Sequence, residues 1–257
     1  MVEKNNLLTN NPASRLYEIL TLALKNGAKI GVRNRTAKSV LSEVLDIDTE
    51  DSSELFDGIS KLFTLIKDTE LAINKLYNVD IELYQSTIQE IKEAFQNFNV
   101  VGEWSEIANK IDRGTTEKLK FCADALSRQQ GEIPLNVEEM NELHKEVRVL
   151  LERVIDAELN EDIRSFIFDK LQDIEQAIIN YKFKGSEGLQ RVIEATLGAA
   201  TLMNEDIRKE GENPIVASFF TTITRVASML SIYSNTKQLG ADVGRVLQKL
   251  LPGTKEM

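Results

Sequence analysis

The sequence predicts an all-α protein, a multi-helix bundle with long antiparallel hairpins. Thirteen glycines and four prolines in 257 residues are few, whereas turn-rich β folds need frequent Gly and Pro at their turns. Apolar residues recur at spacings of three and four, which is the period of helices with one buried face. Ser, Thr and Asn residues precede several of these segments, where helix N-caps are expected.

The first 100 residues should form two shorter and two long helices. Pro12 suits the first turn of a helix that ends near Gly27, and Thr36 precedes a short apolar segment. One long helix is expected over 55–77 and another over 81–98, packed as an antiparallel hairpin because the turn between them is short. The N-cap of the first long helix should be Ser52 or Ser53. Its apolar pattern comprises Leu55, Ile59, Leu62, Phe63, Ile66, Ile73, Leu76 and Tyr77.

The later helices are expected around two irregular segments. Residues 99–116 lack a clear period, and the shorter helix after them should end at Gly131. Gly185 suits a left-handed turn between two helices. The polar stretch 204–213 is interpreted as a hinge before Pro214, which begins the last helix. Further N-caps are expected at Asn136, Asn160 and Ser186.

The length fits one large domain or two modest ones. The pattern divides the chain into an N-terminal helical region at 1–98, a central helical hairpin region at 115–203, and a charge-poor C-terminal helix or helix pair at 214–252. The best candidate boundaries are the irregular segment 99–116 and the polar hinge.

Charge is distributed unevenly along the chain. The formal net charge is −10, with +5 in residues 1–40, −9 in 41–100, −8 in 101–180 and +2 in 181–257. An acidic body repels nucleic acid, because nucleic-acid affinity depends on Lys and Arg contacts to phosphates. We therefore expect a protein partner or a homo-oligomer rather than a nucleic acid.

Cysteine and histidine usage excludes several chemistries. With Cys122 alone, no intramolecular disulfide forms, and with one histidine no zinc site of Cys and His ligands can be built. The N-terminus lacks the apolar run of a secretory signal, so a cytoplasmic protein is expected. The same lack of Cys and His ligands leads us to expect no metal or cofactor. His144 has no serine or cysteine nucleophile beside it in any local motif, and we expect no enzymatic activity.

The charge-poor segment 215–236 contains one charged residue, Arg225. Its aliphatic and aromatic residues share one face of a helix, and Ser, Thr and Arg225 lie opposite. This pattern predicts a buried bundle helix or an oligomer interface, with a membrane-active helix as the alternative. The candidate interface residues are Phe219, Phe220, Ile223, Val226, Leu230 and Tyr233.

A second candidate site is a basic cluster near the N-terminus. It comprises Lys25, Lys29, Arg33, Arg35 and Lys38, with no acidic residue between Ala23 and Ser42. The spacing matches no phosphate-binding loop motif. The cluster is expected either to bind phosphate, anionic lipid or RNA, or to dock on the acidic middle of the chain or on a second subunit.

The segment from Ala177 to Leu189, with Arg191, Glu194 and Gly198 after it, resembles a helical hairpin of uncharacterised bacterial all-helical proteins. Some of these proteins are found in mobile or phage-defence loci. The resemblance covers residues 136–202 and implies a non-enzymatic accessory, immunity or effector role.

The sequence thus predicts a structural, regulatory or accessory subunit that acts through protein interaction, of a bacterial defence or stress system as the resemblance implies. Two alternatives remain open. One is a membrane-active effector that uses segment 215–236, and the other is an enzyme with an unrecognised carboxylate site.

Overall fold

A computed structural model confirms the all-α prediction. It describes residues 11–28, 35–48, 50–130, 135–233, 243–245 and 248. Eleven helices are assigned between residues 12 and 233, and the described residues 243–245 and 248 are also helical. Eight to ten helices were expected, because two short helices escaped the pattern. The described residues form no β-strand, only an isolated antiparallel bridge between Thr36 and Glu103.

The chain divides into two compact units, Met1–Gly131 and Glu132–Met257. This boundary falls between the two candidate segments, 99–116 and 204–213. Residues 99–116 lie inside the first unit, and 204–213 inside the second. The region 115–203, which was interpreted as one central region, is therefore shared between both units.

The described residues of the first unit contain six helices. Asn11 caps α1, accepting from the Ser14 amide at 3.0 Å, and its side-chain amide donates to the Ala123 carbonyl at 3.0 Å. The N-cap of α3 is Asp51, whose Oδ1 accepts from the Glu54 amide at 2.9 Å, so the assignment to Ser52 or Ser53 was wrong. The helices are α1 (Pro12–Gly27), α2 (Ala37–Leu45), α3 (Ser52–Ile73), α4 (Ile81–Phe95), α5 (Ser105–Ala108) and α6 (Arg113–Gln130).

The core of the first unit lies between α1 and its neighbours. Helix α1 packs against α2, α3 and α6, and α4 packs against α3 and α6. The predicted α3–α4 hairpin is confirmed as antiparallel, since Phe63 contacts Phe95 near the end of α4 while Asn74 bonds Gln85 near its start. Buried aliphatic side chains from these helices include Leu16, Leu20, Leu41, Leu62, Leu65, Ile88, Ile91 and Leu119.

Five helices are assigned in the described part of the second unit up to Tyr233. Asn136 and Asn160 cap α7 and α8 as predicted, accepting from the amides two residues later. The stretch 204–213 is not simply a hinge, because α10 forms there around the buried Ile207. Acidic residues in the first turn of α10 and basic residues in its last turn complement the helix dipole. The helices are α7 (Val137–Ile155), α8 (Glu161–Ile179), α9 (Tyr181–Leu202), α10 (Asn204–Lys209) and α11 (Pro214–Tyr233).

A glycine turn interrupts α9. Gly185 has φ 61° and ψ −160°, so its positive φ matches the prediction although its ψ lies outside the left-handed helical region. Gly188 lies against the preceding turn, where an added Cβ would come within 2.8 Å of Lys184 Cβ. The main helical part of α9 therefore begins after this turn and runs to Leu202.

Candidate functional site

The candidate interface residues of α11 lie in the core of the second unit. Phe219 and Ile223 are fully buried, and Phe220, Val226 and Leu230 are nearly so. The Phe219 ring packs edge-on against Phe166 of α8. These five side chains are therefore core residues in this state, which agrees with the predicted buried bundle helix and leaves none of the five as an exposed interface residue. The side chain of the sixth residue, Tyr233, lies outside the described residues.

The charged residue of α11, Arg225, is bound to α7. Its guanidinium donates to the Glu146 carboxylate and, at 3.2 Å, to Glu142. The hydrogen bond that Arg225 donates to Glu146 is the main reason that the pKa of Arg225 is raised above its ordinary value. Two carboxylates one helical turn apart on α7 thus neutralise this charge at the edge of the core.

Ser and Thr residues of α11 bond their hydroxyls to the backbone of the same helix; four of them are exposed or half-buried, and Thr222 is buried. Each of five hydroxyl groups donates to the carbonyl four residues earlier, at 2.8 to 3.1 Å. These groups belong to Ser218, Thr221, Thr222, Thr224 and Ser231. Within the described residues, one window of 18 residues, Pro214–Ser231, is long and apolar enough to cross a membrane, and more than half of it is buried in the protein.

One member of the basic cluster, Arg35, is held by hydrogen bonds and an ion pair within the protein. Arg35 donates to the Asn26 carbonyl at 2.9 Å and to Ser39 Oγ at 2.8 Å, and it pairs with Glu43 at 2.8 Å. Arg35 therefore ties the end of α1 to α2. Lys25 is exposed, and Lys38 is half-buried. Lys29 and Arg33 lie outside the described residues.

His144 and Cys122 lie in different units and have separate structural environments. The His144 Nε2 is 3.3 Å from Glu175 Oε1, which also lies 3.8 Å from Arg148 Nε. Cys122 is buried in the first unit, where desolvation raises the pKa of its thiol to about 11. A thiol in this state is a poor nucleophile at neutral pH.

Among the residues that the structure describes, carboxylates do not converge into a cluster suited to a metal. No group of three or more His, Cys, Asp or Glu side chains in the described ranges is placed to hold a metal ion. A cleft of about 470 Å³ between α3 and α4 contains Glu70 and Glu82, and Glu70 is paired with Lys92 at 2.9 Å. Glu18, whose pKa is raised by desolvation, does not line this cleft.

The exposed apolar surface that sequence reasoning missed lies on α3. Phe56 is 59% exposed, Leu71 is 49% exposed and Phe63 is 38% exposed. At 100° per residue these three side chains fall within an 80° sector of α3 that lies beside the sector of its buried residues. We call this surface the α3 stripe, and it also contains the exposed residues Ser60 and Lys67.

Phe63 was expected in the core and lies instead at the edge of the α3 stripe. Its ring makes edge-on contacts with Phe95 and Phe98, at centroid distances of 5.7 and 5.8 Å. The signal that identifies the α3 stripe is the spacing of Phe56, Phe63 and Leu71 by seven and eight residues, which places a second apolar row beside the core row. We grouped Phe63 with the core row and left Phe56 and Leu71 out.

Comparisons with family models, with curated proteins and with solved structures find no match to this chain.

Proposed function

We propose that this chain is a non-enzymatic interaction protein that docks an amphipathic helix of another protein on the α3 stripe. The observation that carries the proposal is that Phe56, Phe63 and Leu71 are exposed and lie along one sector of α3. Exposed apolar residues scattered singly are ordinary, whereas an aligned row marks a contact surface. The role fits an accessory or regulatory subunit in the cytoplasm, of a bacterial defence or stress system, as the sequence resemblance implies.

The spacing along the α3 stripe favours a helix as the partner. From Phe56 to Leu71 the stripe residues are separated by four, three, four and four positions, close to the seam of two packed helices. A helix that lies along α3 would place its own apolar row between Phe56, Phe63 and Leu71.

Lys67 defines the charge of the partner helix. It lies in the middle of the α3 stripe, is exposed, and has no ion-pair partner among the described residues. A partner helix therefore needs an acidic residue in its apolar row, because an unpaired ammonium group under a docked helix would be desolvated without compensation.

The test is selection from a displayed library of amphipathic helical peptides whose apolar positions are fixed at heptad spacing. Selection on the full chain should enrich peptides with Asp or Glu inside the apolar row. Phe56→Ser and Leu71→Ser should each raise the dissociation constant of an enriched peptide by at least about tenfold. Phe121→Ser is the matched control, since Phe121 is an exposed phenylalanine on α6 and should not affect binding.

Two results would contradict this function. One is that no peptide is enriched above the background of an unrelated helical protein. The other is that enriched peptides bind Phe56→Ser and Leu71→Ser as tightly as they bind the unchanged protein, because the α3 stripe would then not be their site.

A second candidate function is membrane binding by α11. It is favoured by the five Ser and Thr hydroxyls of α11 that donate to backbone carbonyls of the same helix. A hydroxyl that is already hydrogen-bonded enters an apolar phase at a lower free-energy cost. Insertion would require Arg225 to leave Glu142 and Glu146 and the apolar face to leave the core. Arg225→Gln should therefore increase dye release from vesicles of mixed neutral and anionic phospholipid. If neither the unchanged chain nor this variant releases dye at any concentration, the candidate fails.

A further inference from the structure

A cavity of about 200 Å³ lies between the end of α1 and α5 in the first unit. Leu24 and Ala108 contribute apolar groups to its wall, and Arg35, Trp104 and Asn109 contribute polar ones. The cavity is smaller than the pockets that hold drug-sized ligands, and at about 30 Å³ for each water it has room for about seven groups of that size. It therefore suits a ligand that consists of a single small ring.

Trp104 contributes an unused hydrogen-bond donor at this cavity. Its side chain is 2% exposed, and its Nε1 makes no hydrogen bond within the described part of the chain. The indole lies against Gly27, where an added Cβ would come within 2.4 Å of Nε1. A buried N–H without an acceptor is unfavourable and uncommon in native proteins. A ligand that brings an acceptor into the cavity would therefore gain the bond that Trp104 lacks.

Arg35 contributes a second donor beside Trp104. The Trp104 amide donates to the Arg35 carbonyl at 2.8 Å, which fixes the two residues next to each other. The Arg35 side chain is 10% exposed, and its bonds to described residues use Nη1 and Nη2, which leaves the Nε–H group. Because Glu43 already pairs with this guanidinium, an anion that entered the cavity would lose its hydration without gaining a new counter-charge. The cavity therefore favours a neutral acceptor.

We propose that this cavity binds a small neutral planar molecule of the nucleobase class, whose carbonyl oxygen accepts from Trp104 Nε1. Indole and guanidinium groups are planar, which suits a planar ligand. Nε1 is closed off from solvent in this structure, so the indole turns from Gly27 toward the cavity on binding. This turn breaks no hydrogen bond of Nε1 to the described residues. The Asn109 amide can both donate and accept, as a ring N–H next to a carbonyl requires.

The proposal goes beyond the helix-docking function of the α3 stripe and does not depend on it, because the cavity and the stripe share no residue.

The test uses the fluorescence of Trp104, which reports on the cavity because it is the single tryptophan of the chain. Titration of the full chain with uracil, which carries carbonyl oxygens and ring N–H groups, should change the emission saturably as the indole turns. Benzene has a ring of the same size without an acceptor, and orotate adds a carboxylate to the uracil ring. Each should bind at least about tenfold more weakly than uracil.

Two variants test the location of the site. Ala108→Leu should raise the dissociation constant of uracil by at least about tenfold, because the larger side chain fills the cavity. Ala195→Leu is the matched control, since Ala195 is exposed on α9, and it should leave binding unchanged. Trp104→Phe keeps an aromatic ring and removes the Nε1 donor, so calorimetric titration should show a similar loss of affinity.

Three results would overturn the proposal. The first is that uracil causes no saturable change in emission. The second is that benzene or orotate binds as tightly as uracil, because the ligand would then need neither a carbonyl acceptor nor neutrality. The third is that Ala108→Leu and Trp104→Phe both bind uracil as tightly as the unchanged protein does.

Discussion

At the scale of single residues, two glycines of α9 should respond oppositely to the same substitution. Gly185→Ala should lower the free energy of unfolding by about 1–3 kcal/mol, because the φ of 61° with ψ of −160° is accessible only to glycine. Gly198→Ala should raise it by roughly 0.5–1 kcal/mol, since the helical backbone there accepts a side chain and the space is open. Urea unfolding of both variants measures this contrast, and equal effects would contradict the backbone assignment.

The Cys122 thiol gives a prediction about pH. Desolvation raises its folded-state pKa from 9.0 to about 11, so the folded state favours the neutral thiol. The resulting stabilisation is fully present below pH 9 and is lost as the pH rises through 11. In full it amounts to about 3 kcal/mol.

Unfolding measured between pH 8 and pH 11 checks the thiol prediction. The unchanged protein should lose more stability over this range than Cys122→Ala, which lacks the titrating group and serves as the control. Parallel pH profiles for the two proteins would show that the thiol is not desolvated in the folded state.

Single residues could be assigned from the sequence where one position alone suited a helix cap. Asn136 and Asn160 were identified as N-caps because a short side chain before an apolar segment has one favoured role. Asp51 was missed because the acidic loop offers several capping residues, and the start of the buried row selects among them. Phe63 was assigned to the core because it lies four residues after Ile59 and three before Ile66, yet its ring reaches only the edge of the α3–α4 packing.

At the scale of helices, α11 should be held mainly by its buried face. Phe219→Ala should cost about 3–5 kcal/mol because it removes a fully buried aromatic side chain. Arg225→Gln should cost about 1 kcal/mol or less, since Glu142 and Glu146 are largely exposed and their pairing with Arg225 is partly screened. Thermal unfolding of both variants compares the two contributions. A larger loss from Arg225→Gln would indicate that the ion pairs, and not the core, fasten the helix.

The same helix shows what a hydrophobic pattern can predict. The charge-poor, amphipathic character of 215–236 identified a helix with one apolar face, and α11 has that face. The pattern could not choose between a face that packs within the chain and one that packs against another molecule, because both require the same residues. The short helix α10 was missed because six residues hold too little periodicity to detect, and its one buried anchor is Ile207.

At the scale of the whole molecule, each unit should fold without the other. Each has its own buried core, and the division falls between Gly131 and Glu132. Fragments 1–131 and 132–257 should each be helical by circular dichroism and should unfold cooperatively. A fragment that is unfolded alone but folds when mixed with the other would show that the units share stabilising contacts.

The division could not be located from composition. The segments 99–116 and 204–213 are polar or irregular, which is typical of linkers, yet α5 and α10 anchor them by Ile107 and Ile207. The actual boundary carries only Gly131 and Pro134 as local signals, and Gly131 was interpreted as the end of a helix and not as the end of a unit. Long-range packing, which the sequence does not display, decides which turns separate units.

The most direct test of the helix-docking function is calorimetric titration of the tightest selected peptide with a charge exchange at Lys67. The account predicts that Lys67→Glu raises the dissociation constant at least about tenfold. A peptide whose acidic residue is replaced by lysine should restore binding to this variant, while it binds the unchanged protein poorly. If Lys67→Glu binds the original peptide as tightly as the unchanged protein does, the partner helix does not lie on the α3 stripe.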